Sequence, residues 1–154
     1  MVVFMHPLSD EKIETFENVV LGQAYRFTNR ALIREALEAP NALNPNGPKT
    51  LAMVGDAEHR LYFVVQGRER NRLPGHIQNV ITNVASNDNL YAQGLALGLE
   101  SFIVKNPAQW DLPVGRKTMA TTMEAIIGAV YYDSGKNRDA TERVITALGL
   151  AWPE

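Results

Sequence analysis

The apolar residues of this chain recur mostly at intervals of three and four positions, which is the period of an amphipathic α-helix. The spacing is clearest between Arg116 and Gly135, where the apolar positions are Met119, Met123, Ile126, Ile127, Val130 and Tyr131. No alternation typical of a β-strand persists for more than a few residues. The pattern therefore predicts an all-α domain of about six to eight helices.

Capping residues and helix breakers divide the pattern into separate helices. The predicted helices run from Ser9 or Asp10 to Gly22, from Thr28 or Asn29 to Pro40, from about Lys49 to Gln66, from Pro74 to Gly98 with a restart near Leu90, from Arg116 to Gly135, and from about Asn137 to Leu148. Segment 41–48 is rich in Asn, Pro and Gly, and segment 106–113 contains two prolines and Trp110. Both segments are predicted to be loops. On the third helix, the residues predicted to face the core are Leu51, Val54, Leu61, Val64 and Val65, and Gly55 is predicted to lie where another element packs closely.

Length and composition narrow the class of protein. The 154 residues suit a single domain spanning 1–154, and the absence of cysteine excludes disulfides and thiolate metal sites. The apolar runs are far shorter than the roughly 20 residues of a membrane span, and the first residues lack the features of a signal peptide. We expect an intracellular protein without a membrane partner, although cytoplasmic, nuclear and mitochondrial locations are not distinguished. A net charge of -2 argues against attraction of the whole molecule to nucleic acid, but a local basic patch can still bind phosphate.

One carboxylate interrupts the apolar face of the helix at 116–135. Glu124 lies between apolar neighbours, and an ionised carboxylate against an apolar surface is costly unless a cation, a donor or a metal compensates it. Glu124 is therefore either satisfied by its neighbours or placed there for chemistry.

Two stretches resemble the signatures of the ribonuclease III endonuclease domain. A-M-V-G-D-A at 52–57 is similar to the end of the family's first signature, approximately N-E-R-L-E-F-L-G-D-A. The second, approximately K-x-x-A-D-x-F-E-A-L-I-G-A-I-Y-L-D-x-G, resembles K-T-M-A-T-T-M-E-A-I-I-G-A-V-Y-Y-D-S-G at 117–135. Segments 27–42 and 86–103 add weaker similarity, so the resemblance covers roughly residues 15–150.

The resemblance implies a dimer-forming helical domain that cuts double-stranded RNA. In the family, four carboxylates from the two signature helices hold Mg²⁺ at each site, and hard oxygen ligands suit this ion. Hydrolysis of a phosphodiester needs a metal-bound hydroxide and a cation on the leaving oxygen. The catalytic and metal-binding residues implied for this chain are Asp56 and Glu124, with Mg²⁺ or Mn²⁺ as the cofactor.

The chain departs from the family pattern at several ligand positions. Ala52 and Thr121 stand where the family has a glutamate and an aspartate, and Lys49 replaces a further glutamate. Two interpretations remain for the surviving pair, Asp56 and Glu124. Either they form a residual metal site completed by water, or they are held by neighbouring helix termini, by hydroxyls such as those of Thr121 or Thr122, or by Lys49.

The resemblance and the charge pattern also give candidate binding residues. The candidates for RNA binding are Arg68, Arg70, Arg72, Arg116 and Lys117, and for most of them a solvated charged segment is the alternative. Met53 stands where the family has an aromatic residue at the dimer interface, so it is either an interface residue or part of the core. His59 is predicted to be a partly exposed helix residue rather than a ligand or base, and His76 aligns loosely with another acidic position of the family.

The predicted function is a ribonuclease III-like pseudoenzyme. It would dimerise and bind structured or double-stranded RNA, with lost or weak endonuclease activity, in a binding, scaffold or ribosomal role. The alternative is a divergent Mg²⁺- or Mn²⁺-dependent double-stranded RNA endonuclease in RNA processing. A third reading, a dimerisation domain without an RNA role, rests on the slightly acidic balance and the lack of an appended double-stranded-RNA-binding domain. The expected partner is a second copy or an intact ribonuclease III domain.

Overall fold

A computed structural model describes residues 7–154 and contains seven α-helices in this part of the chain. The helices are α1 (Asp10–Val19), α2 (Arg30–Ala36), α3 (Lys49–Glu69), α4 (Pro74–Val84), α5 (Asn87–Ala96), α6 (Arg116–Asp133) and α7 (Arg138–Ala147). Two short 3₁₀ helices, Leu99–Phe102 and Pro107–Gln109, lie between α5 and α6. Across 7–154 the sole β-type pairing is an isolated bridge between Glu38 and Val104. The all-α prediction is confirmed.

Side-chain caps explain why most helices begin where they do. Ser9, Asn29, Ser86 and Asn137 each accept a hydrogen bond from a backbone N–H in the first turn of α1, α2, α5 and α7. The starts of α3 and α6 differ, because Pro48 and Gly115 precede them and provide no side-chain cap. No helix within 7–154 has the length and apolar character needed to cross a bilayer.

The core is built around α6, which packs against α2, α3, α5 and α7. Every residue of α6 from Met119 to Val130 is buried except Thr121 and Glu124, which are partly exposed. At the far end of the helix, the Asp133 carboxylate accepts hydrogen bonds from Tyr25 Oη at 2.6 Å and from the backbone N–H groups of Thr28 and Asn29. These bonds tie the end of α6 to the segment that leads into α2.

A pair of glycines lets α3 and α6 approach each other closely. A Cβ atom on Gly55 would lie 1.7 Å from the backbone oxygen of Glu124, and one on Gly128 would lie 2.0 Å from the backbone oxygen of Leu51. Neither position has room for any side chain, so the two backbones are in direct contact. This contact fixes the relation of the two helices.

The prediction for the buried face of α3 is largely wrong. The buried residues are Leu51, Ala52, Gly55, His59, Phe63 and Gly67, while Leu61 and Val64 are 36% and 43% exposed. The reason is the contact at Gly55, which turns the face with the smallest side chains toward α6 and leaves two larger apolar side chains outside.

His59 also differs from its predicted exposure. Its ring is buried, and Nε2 lies 3.0 Å from the backbone oxygen of Leu150. The segment after α7 crosses α3 here, and the backbone N–H of Trp152 donates a hydrogen bond to Tyr62 Oη at 2.8 Å. The prediction of a partly exposed histidine is wrong because a segment distant in sequence covers this face.

Candidate functional site

Asp56 and Glu124 lie together where α3 and α6 cross. Gly55, the residue before Asp56, is in direct contact with the backbone of Glu124. Asp56 is exposed and Glu124 is partly exposed at the same crossing. The two positions implied by the resemblance are therefore neighbours in the folded chain.

The environment of Glu124 favours its protonated form. Burial and, to a smaller extent, the negative charge of Asp56 together raise the pKa of Glu124 from 4.5 to about 7. At neutral pH about half of the molecules therefore carry a neutral Glu124 carboxyl group. A cation at this position would reverse the effect, because it would stabilise the ionised form.

No neighbouring group compensates the pair. Within the described part of the chain, neither carboxylate makes a hydrogen bond or an ion pair, and Lys49 has no ion-pair partner either. The Thr122 hydroxyl is buried and donates to the Thr118 carbonyl oxygen at 2.8 Å instead. The interpretation that Lys49 or the threonines hold the two acids is therefore wrong for this structure.

The same crossing shows what the replaced ligand positions contribute. Ala52 is buried, and Thr121 is partly exposed beside Glu124 on α6. Among residues 7–154, no group of three or more His, Asp or Glu side chains is arranged to hold a metal ion. Asp56 and Glu124 are thus the two carboxylates present, and water would have to supply the remaining ligands of any Mg²⁺.

A cavity of about 300 Å³ lies between the first turns of α3 and α6, and we call it the lysine pocket. Its lining includes Asn46, Pro48, Lys49, Lys117, Thr118 and Thr121. Two of these, Lys49 and Thr121, are among the positions where the chain departs from the family pattern, and the pocket itself is not predicted from the sequence. The available signal is a lysine in the first turn of each signature helix, Lys49 in α3 and Lys117 in α6.

Arg68, near the end of α3, and Arg70 and Arg72, just after it, lie in a different region from the carboxylate pair. Arg68 lies about 18 Å along α3 from Asp56, at 1.5 Å per residue. The guanidinium of Arg70 stacks 5.7 Å from the centre of the Trp152 ring, and Arg72 forms an ion pair with Glu154. Arg68 is exposed and makes no ion pair within 7–154. Arg70 and Arg72, two of the four predicted RNA-binding arginines, are therefore engaged by the segment that follows α7.

The other predicted binding residues have separate surroundings. Arg116 pairs with Asp88 at 2.9 Å and lies 5.9 Å from the Tyr91 ring centre, whereas Lys117 lines the lysine pocket. His76 pairs with Glu154 at 2.9 Å and stacks on Trp152, away from Asp56 and Glu124. Met53 is 64% exposed on the outer face of α3, so it is not part of the core.

Fold and site together define an all-helical domain with a carboxylate pair at the crossing of its two longest helices. The model of the ribonuclease III domain family matches residues 49–135, more than half of the chain. This chain therefore belongs to the ribonuclease III domain family.

Solved structures agree with this assignment at the level of the fold. A nuclease domain of ribonuclease III from Campylobacter jejuni, described for structural flexibility in a region involved in dimer formation, has 18% identity and a TM-score of 0.74. That match covers 90% of this chain and 99% of the other. A second structure of the same nuclease domain has 19% identity and a TM-score of 0.71, with 87% and 95% of the chains covered. No curated protein matches the sequence.

Proposed function

We propose that this ribonuclease III domain dimerises and binds double-stranded or structured RNA, and that it cleaves RNA weakly or not at all. The observation that carries the proposal is the pair of replaced ligand positions, Ala52 and Thr121, beside the two carboxylates at the α3–α6 crossing. Removing one well-placed electrostatic group can lower a rate by about a hundredfold or more. Two such losses at one site leave little catalysis.

Asp56 and Glu124 would hold a divalent cation only weakly. An Mg²⁺ or Mn²⁺ ion bound there would supply the acidified water and the positive charge that phosphodiester hydrolysis requires. Because the pKa of Glu124 is raised to about 7, binding must first displace a proton from about half of the molecules at neutral pH. Metal affinity should therefore increase with pH.

RNA binding and dimerisation have separate support. Lys49 and Lys117 have no ion-pair partner within 7–154 and flank the lysine pocket, so their charges are available to phosphate groups. The outer face of α3 exposes Met53, Leu61 and Val64, which suits an apolar contact with a second copy or with an intact ribonuclease III domain. We place the function inside the cell, in RNA processing or in an RNA-containing assembly.

One observation favours the alternative, a divergent endonuclease that depends on Mg²⁺ or Mn²⁺. Asp56 and Glu124 have no protein partner within 7–154, and both retain access to solvent. Carboxylates that are free in this way remain available to a cation. The two proposals therefore differ in the cleavage rate rather than in the location of the site.

The deciding experiment incubates the protein with long double-stranded RNA in EDTA, in Mg²⁺ and in Mn²⁺. We expect a salt-sensitive mobility shift in all three and little or no cleavage. Glu124→Gln tests the site, and Glu11→Gln on the exposed surface of α1 is its matched control. Metal-dependent fragments that vanish in Glu124→Gln but persist in Glu11→Gln would establish the endonuclease. The absence of any shift would instead favour a dimerisation domain.

A restoration experiment tests whether only the ligands are missing. We expect Ala52→Glu combined with Thr121→Asp to bind Mg²⁺, seen as a metal-dependent rise in Tm, and to gain cleavage. Thr121→Asp alone is the control, because Ala52 is buried and a glutamate there carries a folding cost. A folded double variant without a metal-dependent rise in Tm would contradict the proposal that the scaffold is intact.

A further inference from the structure

We propose that the lysine pocket binds a phosphate group directly, with the ammonium groups of Lys49 and Lys117 providing the positive charge. This proposal deepens the proposed function and rests on it only in naming RNA as the carrier of the phosphate.

The charge of the pocket is the first argument. Lys49 and Lys117 are the charged residues of its lining, and neither makes an ion pair within the described residues. Two like charges at one cavity repel each other, and an anion between them removes this repulsion. The pocket therefore selects for a negatively charged group.

The hydroxyl groups of the lining favour phosphate among anions. Thr118 and Thr121 are partly exposed in the pocket wall, and their hydroxyls make no hydrogen bond within 7–154. A phosphate group offers several acceptor oxygens, so it can accept from the hydroxyls and from the ammonium groups together. The starts of α3 and α6 lie in the same wall without an acidic residue in either first turn, which adds to the positive potential.

The size and position of the cavity indicate what the phosphate belongs to. A volume of about 300 Å³ is at the lower end of ligand pockets, and it leaves room for part of a nucleotide beside the phosphate. The pocket shares α3 and α6 with Asp56 and Glu124, so a strand of RNA at the carboxylate pair passes near it. The phosphate is therefore either in the RNA backbone or at a strand end.

The first test is a titration of the ¹⁵N-labelled protein with inorganic phosphate in EDTA, and NMR is the readout. We expect saturable shifts at residues 46–49 and 117–122, with binding weakened by about tenfold or more in Lys49→Gln with Lys117→Gln. Both lysines are exposed, so the double variant should remain folded. Lys136→Gln removes an exposed lysine beyond the other end of α6 and should bind phosphate like the wild type. Shifts that are absent, or unchanged in the double variant, would overturn the site.

The source of the phosphate is tested with short RNA duplexes in EDTA, bearing either a 5′-phosphate or a 5′-hydroxyl. Preference for the 5′-phosphate that disappears in the double variant identifies a strand end. Equal binding of both duplexes that weakens in the double variant identifies the backbone. Duplex binding that is the same in wild type and double variant would overturn RNA as the carrier. Binding of inorganic phosphate without binding of RNA would refute the proposed function and leave the phosphate site standing.

Discussion

At the scale of single residues, Glu124 couples the site to pH. Its pKa is raised to about 7, so between pH 4.5 and 7 the folded protein holds a proton that the unfolded chain has released. The free energy of unfolding should therefore fall as pH rises through this range. Below pH 4.5 both states are protonated, and the contribution is constant.

We expect Glu124→Gln to abolish this fall, because an amide does not titrate. At pH 8 the variant should be more stable than the wild type by about 1–2 kcal/mol, a value reduced for the partial exposure of the side chain. Urea denaturation at pH 4, 6 and 8 in EDTA measures the difference. Glu11→Gln is again the control, and an equal fall in Glu124→Gln and wild type would show that another group titrates.

His59 should produce the opposite dependence. Burial lowers the pKa of His59 below 6.5, although the Leu150 carbonyl and the charge of Asp56 partly offset this. Below pH 6.5 the unfolded chain binds a proton that the folded state excludes, so stability is lost as pH falls. The two residues thus change the free energy of unfolding in opposite directions over overlapping ranges of pH below 7.

The prediction for His59→Gln is a smaller loss of stability between pH 7 and pH 5. The substitution should also cost about 1–3 kcal/mol at pH 7, because packing against Phe63 is reduced. Measuring the stability of His59→Gln in the Glu124→Gln background removes the opposing pH dependence that Glu124 contributes. If the double variant loses as much stability between pH 7 and pH 5 as the Glu124→Gln protein does, His59 is not the source of that loss.

At the scale of helices, the contact between α3 and α6 determines the geometry of the carboxylate pair. We expect Gly55→Ala and Gly128→Ala each to lower the free energy of unfolding by about 3 kcal/mol or more, because the added Cβ meets a backbone oxygen that cannot rotate away. Urea denaturation measures the loss.

Gly75→Ala on α4 is the matched control for these variants. A Cβ at Gly75 meets nothing within 4 Å, so helix propensity should make that variant neutral or slightly more stable. Equal stability of Gly55→Ala and Gly75→Ala would mean that α3 and α6 are not in backbone contact.

The α3 helix shows what periodicity predicts and what it misses. Its start at Lys49 and its helical state follow from local sequence, and the structure confirms both. Its buried face follows only in part: the close packing predicted at Gly55 and the burial of Leu51 are confirmed, whereas Val64 is exposed although it is more hydrophobic than the glycine. A close backbone contact reverses the usual order of preference for the core.

At the scale of the whole molecule, the outer face of α3 should carry the dimer contact. We expect Val64→Asp to weaken dimerisation by about tenfold or more while the protein remains folded, because a charge replaces apolar contact area. Sedimentation at several concentrations measures the change. Leu95→Asp alters a residue of equal exposure on α5 and should leave the association unchanged. If Leu95→Asp weakens dimerisation more than Val64→Asp does, the interface lies on α5 instead of α3.

Long-range contacts also limited the prediction of the site. The sequence placed Asp56 and Glu124 together through a resemblance, but it gave no sign that Trp152 and Glu154 engage Arg70 and Arg72. Those contacts join residues about eighty positions apart, and neither composition nor spacing encodes them. The basic cluster at 68–72 therefore looked more available than it is.

The central place of α6 has a consequence for how the chain acquires its shape during translation. More than a hundred residues leave the ribosome before this helix does, and until then α2, α3 and α5 have no common partner for their apolar faces. Until α6 emerges, those apolar faces are open to chaperones and proteases, and the domain can close only once the last turn of α6, at residue 133, is available.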